Sequence, residues 1–300
     1  MVEGNRTAFL LGLIGAGIQA SLTPAMHERE AAAQGLREIY RIIDLDMPGV
    51  SVEALPELLT WAERLGFDGL NVTFPCKQAI IPLLHELSAD ARALGAVNTV
   101  VLRDGRRIGH NTDCSGFAES FRRGLPDAPR ARVVQLGAGG AGAAVAHAAL
   151  TLGTQQLGIF DTDAARAEHL ARNINARFGE GRARPGTDLP AAMAEADGLI
   201  NATPVGMAKL PGLPLPASLL RPNLWVADVV YFPLETALLR AARALGCRTL
   251  HGGGMAVFQA AGAFRLFTGI EPDAERMRHH FAAMVGEVVN PARADSAVKL

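Results

Sequence analysis

Short apolar runs alternate with amphipathic runs along nearly the whole chain. Residues 9–17, 39–45 and 69–74 each have the length and composition of a buried strand, and 55–66 has the spacing of an amphipathic helix. Strands that alternate with helices form mainly parallel sheets, because each helix returns the chain to the end of the sheet at which the previous strand began. The pattern therefore predicts an α/β protein, with further strands over 96–102, 107–113, 133–136, 157–161, 197–204 and 225–231.

Local signals set several boundaries within this pattern. Thr23 is a candidate N-cap, Pro24 suits the first helical position, and Gly35 ends the helix. Asp104-Gly105, between two strands, predicts a tight hairpin. Other helices are predicted over 78–87, 254–269 and 272–284.

The length of 300 residues is enough for two domains of ordinary size. A proline-rich, charged segment at 125–131 is the best candidate linker between two patterned regions. We expect a first domain over 1–115, completed by the helices within 254–285, and a second domain over 116–253. Residues 286–300 are expected to form a frayed tail.

Composition and charge exclude several classes of protein. Hydrophobic residues make up 49% of the chain and charged residues 20%, which suits a globular protein with a large core. The formal net charge of −1 provides no field that would gather nucleic acid or an anionic membrane. Dispersed cysteines, with neither a secretory leader nor a long apolar run, predict a cytoplasmic protein without a membrane partner. A monomer and a homodimer both stay open.

A glycine fingerprint lies between the strand at 133–136 and an alanine-rich helix. In its GxGxxG spacing the first glycine allows a tight turn, the second lets a pyrophosphate approach the backbone, and the third lets the helix close on the sheet. The N–H groups at the start of such a helix attract phosphate charge. We expect a Rossmann-type doubly wound domain that binds a dinucleotide through Gly137, Ala138, Gly139, Gly140, Ala141 and Gly142.

An acidic residue ends the next predicted strand. Asp161 stands 24 residues after Gly137, where a carboxylate accepts hydrogen bonds from the adenosine ribose and repels a 2′-phosphate. Asp163 adds to that repulsion, while Arg166 could stack on the adenine or meet a phosphate. The turn favours NAD over NADP. The alternative is that Asp161 only caps the helix that starts near Ala164.

Hydroxyl groups precede the first predicted helix. Ser21 and Thr23, with the free N–H groups of the first turn, could hold a carboxylate. Alternatively, Thr23 is only an N-cap and Ser21 a turn residue.

The segment NVTFPCK combines a strand end with a lysine. Asn71 and Thr73 share one face of the strand and are expected to line a cleft, while Leu70, Val72 and Phe74 face the core.

Lysine is rare in this chain, which contains only Lys77, Lys209 and Lys299 among 29 basic residues. Lys77 falls in the predicted first helical turn, where positive potential disfavours an ammonium ion and suits a proton-transfer group. A surface lysine is the alternative. Asn98 and Asp113, at two strand ends, could complete a polar site beside it, although each alone is more typical of a turn.

The ordered motifs resemble those of the shikimate/quinate dehydrogenase family. They are ASLTP, NVTFPCK, GAVNT, HNTD, GAGGAG, NATPVGM, ADVVY and HGGGMAVFQAAGAF, and they extend over roughly residues 9–284. The resemblance implies that the first domain binds substrate and that Lys77 and Asp113 form the catalytic pair. The other implied substrate contacts are Ser21, Thr23, Thr73, Asn98, Tyr231 and Gln259, and the implied contacts near the nicotinamide are Asn201, Ala202, Thr203, Gly252 and Met255.

The chain departs from the biosynthetic, NADP-dependent members in two places. They usually have serine where this chain has Thr23, and a basic Asn-Arg-Thr type motif where it has Asp161-Thr162-Asp163. Both features resemble the catabolic, NAD-dependent quinate/shikimate dehydrogenases. We therefore expect NAD-linked oxidation of a ring hydroxyl of quinate or shikimate. A biosynthetic NADP enzyme, an aminoshikimate-type dehydrogenase and a non-catalytic NAD or metabolite sensor are the alternatives.

Cys76 and Cys114 adjoin Lys77 and Asp113, so a covalent thiol mechanism is a further alternative. The histidines show no HExxH motif, and no metal site is expected.

Overall fold

The computed structural model describes residues 6–48 and 50–289. They form two compact units. The first unit takes the described residues up to Thr112 and those from Ala260 onward, and the second unit takes Asp113–Gln259. The units therefore divide at Thr112 and Gln259, whereas the sequence places the divisions at residues 115 and 254.

The first unit is built on a six-stranded mixed sheet among the described residues, with the strand order β2-β1-β3-β5-β6-β4. β1 is parallel to β2 and β3, whereas β5 is antiparallel to β3 and β6. The elements are β1 (Ala8–Gly15), α1 (Thr23–Ala33), β2 (Arg37–Asp44), α2 (Leu55–Arg64), β3 (Gly69–Val72), α3 (Cys76–Ala79), β4 (Glu86–Leu87), α4 (Ala89–Leu94), β5 (Thr99–Arg103) and β6 (Arg106–His110).

The second unit has an entirely parallel sheet within the described residues, with the order β12-β11-β10-β7-β8-β9. The elements are α5 (Asp113–Gly124), β7 (Arg132–Leu136), α6 (Gly140–Thr151), β8 (Gln156–Phe160), α7 (Ala164–Phe178), β9 (Ala183–Pro185), α8 (Leu189–Glu195), β10 (Gly198–Asn201), β11 (Trp225–Asp228), α9 (Ala237–Ala244) and β12 (Arg248–Leu250). This is the doubly wound Rossmann order, with the strand order reversing between β7 and β10. The predicted α/β class and Rossmann-type domain are confirmed.

Two helices end the described chain, α10 (Gly253–Thr268) and α11 (Ala274–Val289). The second half of α10 packs on the first unit's sheet, where a Cβ at Gly69 would overlap the ring of Phe267. α11 continues into the predicted frayed tail as far as Val289, and residues 290–300 lie outside the described part of the chain.

The predicted hairpin is confirmed. β5 and β6 pair in antiparallel register, and Asp104 and Gly105 both have positive φ, at 53° and 70°. Two consecutive positive φ values are the requirement of the type I′ turn, whose twist matches that of the paired strands.

Several local predictions were wrong. Leu22, not Thr23, is the N-cap of α1, so Thr23 and Pro24 are its first two residues. The predicted helix over 78–87 is instead the end of α3, a 3-10 turn at Ile81–Leu83 and the short strand β4. Pro82 cannot donate the backbone hydrogen bond that a continuous helix requires there.

The predicted linker at 125–131 lies inside the second unit, where it joins α5 to β7. Trp225 Nε1 donates to the carbonyl of Pro129 at 2.6 Å, which attaches this segment to β11. Its proline-rich composition therefore marks a loop and not a domain boundary.

In the described residues, no helix combines the length and apolar character required to cross a bilayer.

A buried ion pair attaches α11 to α1. The side chain of Glu30 is fully buried, and Arg276 donates to both of its carboxylate oxygens, at 2.8 and 2.7 Å. The N–H of Asp273 and the amide of Gln34 donate to the same carboxylate. Because the buried charge has four donors, removing Arg276 would leave it poorly compensated.

We predict that Arg276→Ala lowers the free energy of unfolding by about 2–3 kcal/mol, because the buried Glu30 carboxylate loses its cation. Denaturant titration measures the change. Arg278→Ala is the matched control on the same helix, since Arg278 pairs with Glu275 and both side chains are about half exposed. The control should change stability by no more than about 0.5 kcal/mol. Equal losses in the two variants would contradict the assigned role of the pair.

Candidate active site

The glycine turn after β7 depends on close backbone contacts. Gly137 has a φ of 97°, and a Cβ there would lie 2.7 Å from the carbonyl oxygen of Ala202. A Cβ on Gly142 would overlap the carbonyl oxygen of Gly137. Gly139 differs, because a Cβ built on it meets nothing within 4 Å. The turn therefore has two glycines fixed by packing and one that borders open space.

A buried amide holds this turn against α6. Gln135 is fully buried, and its Nε2 donates to the carbonyls of Gly137 and Gly142, both at 2.9 Å. The side chain thereby joins the end of β7 to the first turn of the helix. Sequence reasoning missed Gln135, whose only signal is a polar residue inside a strand that is otherwise apolar.

Asp161 follows β8 and orders the same turn. One carboxylate oxygen, Oδ2, accepts the N–H of Ala138 at 2.7 Å, and Oδ1 accepts the N–H of Asp163 at 2.9 Å. The N-cap of α7 is Asp163, which accepts the N–H of Ala165. The alternative in which Asp161 caps that helix is therefore wrong. Arg166 pairs with Asp163 at 3.4 Å, and both side chains are exposed.

These features suit a dinucleotide. The backbone faces open space at Gly139, the first turn of the twelve-residue helix α6 follows directly, and a carboxylate stands at the end of the neighbouring strand. Such a turn holds a pyrophosphate through N–H groups, while the carboxylate meets a ribose. The implied cofactor therefore fits the residues present.

Buried hydrogen bonds shape the turns after β10 and β11. Asn201 is fully buried, its Oδ1 accepts from the N–H and hydroxyl of Thr203, and its Nδ2 donates to Asp228. Asp228 also accepts the hydroxyl of Thr236 at 2.7 Å. Sequence reasoning missed Asp228 and Thr236. The signal was an aspartate at the end of a buried strand, within ADVVY.

The other residues implied for the second unit occupy different surroundings. A Cβ on Gly252 would overlap the carbonyl oxygen of Val229, so this glycine also permits a close backbone approach. The side chain of Met255 lies in the core of the unit, and Tyr231 is 41% exposed. Gln259 Nε2 donates to the carbonyl of Ala256 within α10. Their contacts with ligands stay predictions.

In the first unit, a buried carboxylate orders the loop that carries Ser21. Asp44, at the end of β2, accepts the N–H groups of Gly17 at 2.9 Å and Ile18 at 3.2 Å. The backbone N–H of Asp46, with those of Gly17 and Ile18, holds the pKa of Asp44 below its ordinary value. At the other end of the loop, Ser21 Oγ accepts the N–H of Thr23 at 3.3 Å. Ser21 and Thr23 therefore share one ordered turn at the carboxyl edge of the sheet.

Thr73 lies at this edge because Gly15 has no side chain. A Cβ at Gly15 would overlap the Thr73 methyl group, and Ala16 N–H donates to the carbonyl of Phe74 at 2.9 Å. Lys77 follows in α3, and its carbonyl accepts the N–H of Val97 at 2.9 Å. The ends of β1 and β3 thereby bring Thr73 and Lys77 to the segment that leads into β5.

Asn98 is the last residue of that segment, immediately before β5, and is buried. Its Nδ2 donates to Thr112 Oγ1 at 2.9 Å, and its Oδ1 accepts the Thr112 N–H at 2.8 Å. This bidentate pair fixes the chain immediately before Asp113. Asp113 is the first residue of α5, is 6% exposed and belongs to the second unit.

The predicted faces of the β3 segment were partly wrong. Asn71 is buried and accepts the hydroxyl of Tyr40 at 2.7 Å, so it serves the interior and does not line a cleft. Phe74 was expected in the core and is 76% exposed. The strand ends at Val72, and beyond it the alternation of faces no longer holds.

The buried environment of Cys76 argues against a thiol nucleophile. Cys76 is fully buried, and that burial raises the pKa of its thiol to about 11. A reactive cysteine needs an accessible thiolate.

Comparison with known proteins identifies the family. The shikimate dehydrogenase substrate binding domain matches residues 13–100, and the shikimate 5′-dehydrogenase C-terminal domain matches residues 252–280. A shikimate dehydrogenase (NADP(+)) from Streptomyces avermitilis is 61% identical over 284 residues, covering 94% of this chain and 98% of the relative. The chain belongs to the shikimate dehydrogenase family. The resemblance seen in the sequence is thus confirmed.

Other relatives of this family carry a different cofactor in their names. The quinate/shikimate dehydrogenase (NAD(+)) of Corynebacterium efficiens is 54% identical over 284 residues, covering 93% of this chain and 100% of the relative. The structure of quinate dehydrogenase from Corynebacterium glutamicum in complex with NAD has a TM-score of 0.88 and 51% identity, covering 92% of this chain and 99% of that one. A third family model, the alanine dehydrogenase/PNT C-terminal domain, matches residues 120–219, which lie between the two shikimate dehydrogenase matches.

Membership of the shikimate dehydrogenase family makes the protein a dehydrogenase that uses a nicotinamide dinucleotide. The relatives divide between NADP and NAD, so the family alone leaves the choice of cofactor open.

We predict that Gly139→Ala and Gly142→Ala fail in different ways. Gly139→Ala should fold normally, since its Cβ meets nothing within 4 Å, but should weaken dinucleotide binding by at least ~10-fold because the methyl group occupies the phosphate approach. Gly142→Ala should lose about 1–3 kcal/mol of stability through overlap with the Gly137 carbonyl. Thermal unfolding and cofactor titration separate the two effects. Normal cofactor binding by a folded Gly139→Ala variant would show that the glycine turn does not hold the pyrophosphate at Gly139.

Proposed function

We propose that the protein catalyses the reversible, NAD-linked oxidation of one ring hydroxyl of quinate or shikimate, giving 3-dehydroquinate or 3-dehydroshikimate. The observation that carries the cofactor choice is the acidic turn after β8, in which Asp161 joins the glycine turn and Asp163 stands exposed. The substrate class follows from the family and from the polar groups at the edge of the first unit's sheet.

The substrate carboxylate is proposed to bind Ser21 and Thr23. Both lie on the turn that Asp44 orders, at the start of the eleven-residue helix α1, where N–H groups and the helix dipole favour an anion. The ring hydroxyls are proposed to meet Thr73, Asn98, Gln259 and Tyr231. Side chains held in this way fix which ring carbon is oxidised, which is a contribution of orientation.

Lys77 is proposed as the group that exchanges a proton with the reacting hydroxyl. Oxidation of an alcohol requires its O–H proton to leave as hydride departs from carbon, so a base within hydrogen-bond reach lowers the barrier. Lysine is used at position 77 although nearly all the remaining basic residues are arginine. This supports the role, because arginine does not release its proton. The sequence also suggested that the positive potential of a helix N-terminus acts on Lys77. That effect is weaker than expected, since α3 has only four residues.

Asp113 is proposed to hold the Lys77 ammonium and to share the reacting hydroxyl. It follows Thr112, whose two hydrogen bonds to Asn98 fix the backbone just before it. A carboxylate in this role stabilises the protonated lysine that forms during oxidation.

The dinucleotide, when bound, supplies the hydride acceptor. Gly137, Ala138, Gly139, Gly140, Ala141 and Gly142 are proposed to hold its pyrophosphate through the backbone, and Asp161 its adenosine ribose. Asn201, Ala202, Thr203, Gly252 and Met255 are proposed to border the nicotinamide. A 2′-phosphate would bring added negative charge to Asp161 and Asp163, which favours NAD.

An NADP-linked shikimate dehydrogenase is the second candidate. It is favoured by the 61% identity to the Streptomyces avermitilis enzyme named for NADP and by Arg166, a cation on the same turn. An aminoshikimate-type dehydrogenase and a non-catalytic sensor are separated from the main proposal by assaying turnover.

We predict that Lys77→Ala and Asp113→Asn each lower kcat by at least ~10²-fold, the scale of acid–base groups. Lys77→Arg should be similarly impaired, because it keeps the charge and loses the proton transfer. Steady-state rates with quinate and shikimate measure the effect. Lys209→Ala is the control, since Lys209 lies on an exposed loop. Near-normal turnover in Lys77→Arg would rule out proton transfer by Lys77.

We predict that initial rates are higher with NAD than with NADP and that Asp161→Asn narrows this preference. The asparagine keeps an oxygen to accept the Ala138 N–H while it removes the charge. The measurement is kcat/KM for each cofactor, with quinate and shikimate tested separately. An unchanged cofactor ratio would refute the role of Asp161, and absence of turnover with either acid would overturn the proposed substrate.

A further inference from the structure

Asp228 is a buried carboxylate at the carboxyl end of β11. It is 2% exposed, its Oδ1 accepts Asn201 Nδ2 at 2.9 Å and the N–H of Val230 at 3.0 Å, and its Oδ2 accepts the hydroxyl of Thr236 at 2.7 Å. Every one of these partners is a neutral donor. Within 6–48 and 50–289, no cation pairs with Asp228, so a charge on it is offset only by dipoles.

The hydrogen-bond pattern matches the ionised form of Asp228. The Asn201 amide, the Val230 N–H and the Thr236 hydroxyl meet its two oxygens, and an ionised carboxylate can accept from all three. Burial raises the pKa of Asp228 above its ordinary value, while the hydrogen bonds from Thr236, Val230 and Asn201 act in the opposite direction. In its ionised form Asp228 is a charge that is only 2% exposed, so its field is screened less than that of a charge in water.

The position of Asp228 in the sheet relates it to one end of the cofactor. A doubly wound sheet has two mononucleotide halves, and ligands bind outside the carboxyl ends of the strands. Because Asp161 follows β8 and is proposed to bind the adenosine ribose, the half of the sheet formed by β7, β8 and β9 is assigned to the adenosine. The half of β10, β11 and β12 is therefore left for the nicotinamide.

Contacts within the unit connect Asp228 to the cofactor turn. The carbonyl of Ala202 lies 2.7 Å from where a Cβ of Gly137 would be, so the turn after β10 adjoins the glycine turn. Asn201, the residue before Ala202, is hydrogen-bonded directly to Asp228. The carboxylate of Asp228 is thus hydrogen-bonded to the turn that follows β10, which is the turn proposed to border the nicotinamide.

We propose that the Asp228 carboxylate selects the oxidised state of the bound nicotinamide. The oxidised ring carries a positive charge and the reduced ring is neutral, so a fixed negative charge favours the oxidised form alone. Asp228 acts through its field and through the Asn201 turn, and it is therefore a positioning residue and not a catalytic one. The inference rests on the nicotinamide cofactor of the proposed function, and it holds for NAD and NADP alike.

The expected size follows from Coulomb's law. Two unit charges separated by about 10 Å at an effective dielectric constant of about 20 interact strongly enough to change an equilibrium constant by on the order of tenfold. Removing the charge should therefore raise the Kd of the oxidised cofactor about tenfold and leave that of the reduced cofactor nearly unchanged. The ratio of the two Kd values is the quantity that a general loss of structure would not move.

The test is to measure both Kd values in Asp228→Asn. Asparagine has nearly the same shape, keeps an oxygen for Asn201 and Val230, and directs an amide at the Thr236 oxygen. NADH is titrated by its fluorescence, and NAD+ by competition with NADH. The expected result is a shift of the ratio by about tenfold toward the reduced cofactor, with circular dichroism as in the parent protein.

Two variants control for structure and for charge. Thr236→Val removes one hydrogen bond to Asp228 and keeps the carboxylate, so both affinities should change together. Asp197→Asn removes a carboxylate that immediately precedes β10, at the amino ends of the strands, whereas Asp228 lies at their carboxyl ends. Asp197 accepts the N–H of Arg132 at 2.9 Å. Its ratio should stay within about twofold of the parent, because the added distance and solvent screen its charge.

A parallel fall of both affinities in Asp228→Asn, or a ratio shift equal to that of Thr236→Val, overturns the inference. If Asp228→Asn does not fold, Asp228→Ser is measured in the same way. If the parent protein binds NADP+ and NADPH instead of NAD+ and NADH, the same ratio is measured with that pair. Binding is independent of turnover, so inactivity toward quinate and shikimate overturns the proposed substrate alone. If the parent binds neither pair, the proposed cofactor fails, and the inference fails with it.

Discussion

The close approach of α6 to the end of β7 is the constraint on which the second unit depends. Gly142 meets the carbonyl of Gly137 without room for a Cβ, and Gln135 bridges the two carbonyls from beneath. This contact aims the first turn of the helix at the open space beside Gly139 and sets the position where Asp161 receives the Ala138 N–H. The first unit uses the same device at Gly15, whose missing side chain admits Thr73. In each unit, candidate residues are positioned by two backbone segments that lie closer than side chains would allow.

Buried polar groups then fix the loops that carry the functional side chains. Asp44 orders the turn of Ser21, Asn98 fixes the backbone before Asp113, and Asp228 holds the turn of Asn201. Each of these groups is at least nine-tenths buried and satisfies several backbone or side-chain donors. Leaving such groups unpaired costs about 1–3 kcal/mol each, so the loops have few alternative conformations. The presentation of the site is therefore encoded in residues that need not touch a ligand.

The sequence alone predicted the alternating strands, the hairpin at Asp104-Gly105 and the dinucleotide fingerprint, because each depends on a local pattern. Predictions failed where tertiary contacts decide. The apolar spacing of 78–87 suggested a helix, but Pro82 interrupts it and Leu84 and Leu87 pack against Gly109 instead. The helix α5 was missed because Gly116 interrupts its pattern, and the reason for that glycine is its close contact with the backbone N–H of Gln259. Buried polar groups such as Gln135 and Asp228 have no periodic signature, so only the folded chain reveals their partners.

In the proposed function the pyrophosphate is held by backbone N–H groups, so its binding requires no particular charged side chain. The groups proposed to distinguish NAD from NADP all lie between Asp161 and Arg166, a stretch that is exposed from Thr162 onward and leads into α7. Asp163 and Arg166 are both more than half exposed, so these two side chains can change with little effect on the core, whereas Asp161 also orders the glycine turn. Under the proposed function, cofactor choice depends largely on side chains outside the core, so a change of coenzyme between relatives requires few substitutions. The names of the relatives at 61% and 54% identity agree with such a short evolutionary step.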